Sequence, residues 1–344
     1  MLALNKIASA PGAVAVGQTD PREPWNDEVM IRVHASGLCG TDMQIYRGTG
    51  GIARRVKPPM VLGHEACGKV VKVGAGVTRV AVGDVVSLES HIPCWTCKAC
   101  RTGRAHVCMK TLYPGIDIPG TFAEYVTVPA SICWINPPDV NMEHAALLEP
   151  LGIAVHASLE GSGVSGQVVV VNGCGPIGLM NVAAAKIFGA HKVIGIDPNA
   201  KRRGTAERLG ADAVIDPTQG SVPEQVRALT SGEGADVVIE YTGNAEGVRN
   251  CFSMVAPLGQ VRWCGTPYAP VEFDFALWRI GRPVITVING RRIWETWEKA
   301  APLVYEKRFD LDCIASHRLP LSEGLRAFEL IEAGEAVKPL LMCA

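Results

Sequence analysis

A chain of 344 residues with 48% hydrophobic content is long enough for about two domains, each able to bury a core. The 33 Lys and Arg nearly cancel the 34 Asp and Glu, and no block of like charge occurs, which argues against a nucleic-acid or membrane-surface partner. The opening MLALNKIASAPGAVAVGQTD has no basic flank leading into a sustained apolar run, and no 18-residue apolar stretch follows, so neither a leader nor a membrane span is expected. The expected compartment is the cytoplasm, where twelve cysteines point to metal ligands rather than disulfides.

The first half reads as strands between Gly and Pro breakers: EVMIRVHASG (28–37), ACGKVVKVG (66–74), GDVVSLES (83–90) and FAEYVTVPA (122–130). Near residue 140 the texture changes, and NMEHAALLEPLGIAVHASLEG reads as a helix interrupted at Pro150. Short Val- and Ile-rich runs then alternate with helical ones: 167–172, 192–197, 213–216, 235–241, 260–265 and 284–288. That alternation predicts a doubly wound, six-stranded parallel sheet of the Rossmann type, its strands buried on both faces. The tail holds helical stretches in WETWEKAAPLVYEKR and SEGLRAFELIEAG and a final strand in KPLLMC. It is too small to stand alone, so it is expected to pack back onto the N-terminal half.

The segment NGCGPIG places Gly173, Gly175 and Gly178, with Ile177 between the last two, after a strand and at the start of a helix. In that context the glycines allow a tight turn, a close approach of backbone to a pyrophosphate, and close helix–strand packing. Asp197 ends the next strand, 19 residues after Gly178, where a carboxylate binds the adenosine ribose and repels a 2′-phosphate. The expected cofactor is therefore NAD rather than NADP, with Arg202 available to stack on the adenine.

Cys94, Cys97, Cys100 and Cys108 follow a C-x2-C-x2-C-x7-C spacing. Four thiolates so close can wrap one tetrahedral Zn²⁺ with no open position, hence a structural ion. An iron–sulfur cluster has related spacings, but little nearby suggests electron transfer. Lys98, Arg101 and Arg104 are placed to offset thiolate charge. A catalytic zinc needs about three protein ligands and an open position; Cys39, His64, Glu65 and Glu149 are candidates. Taken singly, each has an ordinary structural explanation.

The motifs GLCGTD (37–42), GHE (63–65), the four-cysteine segment, LEPLGIAVHA (148–157) and GCGPIG occur together and in order. The chain resembles the zinc-dependent medium-chain alcohol dehydrogenases over essentially its whole length. The nearest branches are the threonine dehydrogenases and the sorbitol-type polyol dehydrogenases. The resemblance implies a GroES-like catalytic domain from residues 1–150 and 292–344, with an NAD-binding domain (151–291) inserted and the active site in the cleft. It implies that Cys39, His64 and Glu65 bind the catalytic zinc. Glu149 would sit on the metal or on its water, and which glutamate ligates at rest stays open. Ile288, Asn289 and Arg291 would line the nicotinamide end, and a homo-oligomer, tetramer before dimer, is expected.

The implied reaction is oxidation of a secondary alcohol to a ketone. Zinc acidifies the hydroxyl, Thr41 accepts its proton, and hydride goes to NAD. The threonine dehydrogenases usually carry histidine where this chain has Gln44, and glutamine does not titrate near neutrality. The loop 47–57 has no acidic residue to hold an amino group, though Arg54 and Arg55 could attract an anion. The substrate expected first is thus a polyol, cyclitol, sugar-like alcohol or amino alcohol, with L-threonine as the alternative. A catalytically inactive scaffold of the same fold is more remote, because every implied ligand is present.

Overall fold

In the computed structural model, which describes residues 1–267 and 269–343 and only the backbone of Leu277 and Trp278, the strand Glu28–Gly37 organises the first unit. Its β-branched, largely buried side chains suit a pleated surface covered on both faces. One edge pairs antiparallel with Glu65–Val73 along its length. The other pairs with Tyr125–Pro129 at its start and with Pro339–Met342 at its end. Val85–Leu88 and Cys133–Ile135 extend the sheet on one side, and His317–Pro320 extends it on the other. Ile31, Val33, Leu38, Phe122, Phe328 and Leu341 fill the core. Pro339–Met342 brings the end of the chain against Gly37, two residues before Cys39.

A hairpin of Leu2–Lys6 and Val14–Gln18, joined by Met60–Val61, adds a second small sheet. These strands are not among those expected from the sequence. In this unit Gly63 adopts φ +91°, and a Cβ there would stand 2.5 Å from the Phe122 ring. Only glycine permits that turn, and it delivers His64 just before the next strand.

The second unit comprises Pro150–Arg291 and Lys307–Ile314. The expected tail is therefore divided, with 307–314 grouping here rather than with its neighbours. Six strands, numbered in chain order, form one parallel sheet: β1 (Val168–Asn172), β2 (Lys192–Ile196), β3 (Ala213–Ile215), β4 (Ala235–Glu240), β5 (Val255–Trp263) and β6 (Val284–Val287). Their order is β3-β2-β1-β4-β5-β6, as a doubly wound sheet requires, and the order reverses between β1 and β4. Val170, Ile194 and Val238 are fully buried in its core.

Two local readings need correction. The helix near 150 breaks before Leu148, between Met142–Ala145 and Leu148–Leu159, so Pro150 sits in a first turn, where its missing N–H costs nothing. Strand β5 starts at Val255, not 260, with an irregularity in its pairing to β4. No described helix is long and apolar enough to cross a membrane.

Candidate active site

Cys39 caps the helix Gly40–Arg47, which carries Thr41, Asp42 and Gln44. The Cys39 N–H donates to Asp42 Oδ2 at 2.9 Å, a local capping bond that fixes the backbone carrying the thiol. Glu65 opens the adjacent strand directly opposite Gly37. The ligand atoms of Cys39, His64 and Glu65 all lie within 4.8 Å of one another. Ligand atoms around a tetrahedral zinc stand roughly 3.3–3.8 Å apart, so small side-chain shifts close this set onto one ion.

Burial sharpens the fit. His64, Glu65 and Glu149 are 6%, 1% and 4% exposed, and Asp42 is fully buried. His64 Nδ1 faces Asp42 Oδ1 at 3.8 Å, and neither atom has a hydrogen-bond partner. Glu65 Oε1 is likewise unpartnered. Burial alone would push the imidazole of His64 down, but Asp42 first, then Cys39 and Glu149, hold it up at about 10. Burial also pushes the carboxyls of Asp42 and Glu65 up. A dry pocket with this excess of acidic donors is built for a cation.

One positive group in the pocket was not legible in the sequence. Lys338, whose side chain is 2% exposed, forms an ion pair with Glu65 Oε2 and donates to the Leu38 carbonyl at 3.0 Å. Burial would lower its ammonium, but Glu65 and Cys39 raise it overall. Gly37 makes the room: a Cβ there would lie 2.5 Å from Glu65 Oε2 and 3.0 Å from Lys338 Cε.

Thr41 and Gln44 are half-buried on the Cys39 helix. The Gln44 side chain packs on Gly50, with Oε1 2.9 Å from where a Cβ of that residue would stand. Arg55 does not serve as a free anion trap. It pairs with Asp117 at 2.6 Å, donates to the Thr111 carbonyl and covers the Tyr113 ring.

The four-cysteine segment closes on itself. The Sγ atoms stand 3.5 Å apart for Cys94–Cys108 and Cys97–Cys100, 3.8 Å for Cys97–Cys108 and 4.0 Å for Cys94–Cys100. Tetrahedral zinc with bonds of about 2.3 Å requires roughly 3.8 Å. All four are free thiols, and backbone N–H groups of Cys94 and Lys110 point at Cys108 Sγ. Paired Ile92 and Leu112 close the neck of the loop. Lys98, Arg101 and Arg104 are exposed around it.

In the second unit a cavity of about 470 Å³ opens where the strand order reverses. Its wall contains Gly173, Gly175, Asp197 and Arg202, together with Tyr241, Thr242, Asn244 and Asn250, which sequence reading missed. Gly173 adopts φ +103°, and a Cβ on Gly178 would collide with its carbonyl. Asp197 accepts from Cys174 N at 3.0 Å and Asn199 N at 2.8 Å, with Arg202 3.7 Å away. This carboxylate is held in place at the end of β2, ready for ribose hydroxyls.

Ile177, Gly178, Ile288, Asn289 and Arg291 are not part of that wall. Arg291 is 1% exposed and lies against Gly152, where a Cβ would meet its Cδ at 2.6 Å. The adjacent Gly290 carbonyl accepts from His156 Nδ1 at 2.8 Å.

The chain is similar to known proteins. Residues 25–139 match the family described as alcohol dehydrogenase GroES-like domain, and residues 176–306 match zinc-binding dehydrogenase. An L-threonine 3-dehydrogenase of Pyrococcus abyssi is 40% identical, covering 99% of this chain and 98% of its own. That of Bacillus licheniformis is 41% identical, covering 99% of both. Among solved structures, the alcohol dehydrogenase of Thermus sp. ATN1 superposes with a TM-score of 0.92 at 32% identity and full coverage of both chains. With a GroES-like fold, a parallel dinucleotide-binding sheet and two zinc-suited donor sets, this chain belongs to the zinc-dependent medium-chain alcohol dehydrogenases and is an NAD-dependent oxidoreductase acting on an alcohol.

Proposed function

We propose that this chain oxidises the 3-hydroxyl of L-threonine, or of a closely similar 3-hydroxy amino acid, to the ketone. Similarity over 99% of the chain to L-threonine 3-dehydrogenases carries this reading. The alternative weighed from sequence is thereby better supported than the polyol first expected.

The division of labour follows from the residues. Zinc supplies a Lewis acid for the alcohol oxygen, and NAD supplies the hydride acceptor. Cys39, His64 and Glu65 hold the metal, with Glu149 within electrostatic reach of His64 and Glu65. Lys338 balances the charge of Glu65, and Thr41 takes the substrate proton. Gln44 orients the substrate through hydrogen bonds without itself changing charge. Residues 1–150 and most of the tail form the zinc-binding domain, and 151–291 form the NAD-binding domain. Asp197 selects NAD over NADP. Ile288, Asn289 and Arg291 would support the nicotinamide end.

One observation favours the polyol reading: Gln44 offers no titratable group. Zinc-loaded enzyme and NAD, given L-threonine and a panel of polyols and cyclitols with NADH absorbance as readout, separates the two. The threonine reading expects the highest kcat/KM on L-threonine, raised further by Gln44→His. A polyol preferred tenfold over L-threonine overturns it.

The protein is a cytoplasmic homo-oligomer. Its twelve unpaired thiols suit a reducing compartment. Edge strand β6 exposes Val284 (56%), Ile285 (37%) and Val287 (71%) beside Ile280 (80%), a surface suited to pairing with a second copy. Light scattering should give a dimeric or tetrameric mass that Val287→Lys reduces, and a monomeric wild type overturns this.

A further inference from the structure

The acid at the end of β4 is used by neither the metal pocket nor the ribose carboxylate. Glu240 is 1% exposed and sits where β1 and β4 lie side by side, at the reversal of strand order. Its Oε1 accepts from Thr242 N at 2.6 Å, from Gly243 N at 3.1 Å and from the Thr242 hydroxyl. Its backbone carbonyl accepts from Cys264 N and Gly265 N, both at 2.9 Å. A Cβ on Gly265, two residues past β5, would collide with Glu240 Oε2 and stand 2.6 Å from Gly243 N, so this position fits only glycine. Thr242 in turn presses on the Gly-rich turn, with its methyl 3.0 Å from where a Cβ of Gly173 would stand. The same threonine lines the 470 Å³ cavity, and its hydroxyl accepts from Asn244 N at 3.0 Å.

We propose that Glu240 is a positioning residue for the dinucleotide: by gathering Thr242 and Gly243 onto one buried carboxylate, it sets the cavity wall that faces the Gly173 turn. Three donors on one oxygen fix a loop that has no regular structure of its own. The pyrophosphate-binding turn then meets a rigid opposite wall, and less ordering is left to be done when cofactor binds. This rests on the NAD reading of the cavity and is independent of which alcohol is oxidised.

The test is NADH binding to the zinc-loaded enzyme, followed by fluorescence titration, in wild type, Glu240→Gln, Glu240→Ala and Thr242→Val. Glutamine keeps one acceptor oxygen and should bind between wild type and alanine. Alanine should weaken NADH binding about tenfold, the scale of one charge-assisted hydrogen bond lost. In turnover, both substitutions should raise KM for NAD more than KM for the alcohol. Should the alanine variant not fold, the glutamine and valine variants carry the same comparison. NADH affinity equal to wild type in the folded variants overturns the proposal. So does a KM for alcohol that rises as much as that for NAD. A wild type that binds no NADH would overturn the NAD reading of the cavity and this proposal with it.

Discussion

The pairing of Lys338 with Glu65 makes the most demanding prediction. Both side chains are within 2% of complete burial, so Lys338→Met leaves a carboxylate in a dry pocket already shared with Asp42 and Glu149. Removing one partner of a buried ion pair costs about 3–5 kcal/mol, and the lost bond to the Leu38 carbonyl adds about 1 kcal/mol. In the metal-free protein the variant should therefore unfold at markedly lower denaturant. In the zinc-loaded protein a divalent cation meets the freed carboxylate, so the loss should shrink and apparent zinc affinity should rise. Each 1.4 kcal/mol recovered corresponds to about tenfold tighter binding. Denaturant unfolding of both forms, with zinc competition against a chelator, reads both effects. The double variant Lys338→Met, Glu65→Gln removes both charges and should regain most of the metal-free stability. A single variant as stable as wild type without metal refutes the claim that Lys338 offsets Glu65.

Further expectations concern the other sites. Cys97→Ser breaks the four-thiolate set, so metal analysis should fall from about two zinc per chain to about one; an unchanged content contradicts a zinc there. Asp197→Ser removes the charge that repels a 2′-phosphate, and the preference for NAD over NADP should fall at least about tenfold. Asp212 accepts from Val193 N at 2.7 Å and pairs with Lys186 at 2.9 Å. Burial raises its carboxyl, yet these partners hold it below the usual range. A depressed carboxyl stabilises the fold above its unfolded pKa of about 4 and loses that contribution as pH falls. With the side chain 37% exposed, Asp212→Asn should cost only about 0.5–1 kcal/mol at neutral pH, and that cost should shrink as pH falls below about 4; a cost that does not shrink in acid refutes the assignment.

What the sequence revealed depended on how local the constraint was. The Gly173 turn, Asp197 and the four cysteines were readable because phosphate and zinc chemistry dictate short spacings. Cys39 and His64 are ordinary residues when read singly and acquired meaning only through the family's order of motifs. Lys338 could not be found that way. It reaches Glu65 because two strands flank Gly37, a long-range pairing that no local pattern records. Glu240 looked like the end of one more apolar strand, since its role lies in loops that meet only in the folded sheet. The Leu2–Lys6 hairpin was passed over because its strands are short and its alternation weak. Pro150 misled because a proline that would break a helix interior is welcome in a first turn.

The most direct measurement is NADH formation from L-threonine by the zinc-loaded enzyme, repeated after chelation and again after zinc is restored. Turnover that disappears with the metal, returns with it and fails in Cys39→Ala is the predicted result. Turnover that survives complete zinc removal, or no NADH from threonine or any alcohol with two zinc ions bound, would contradict it.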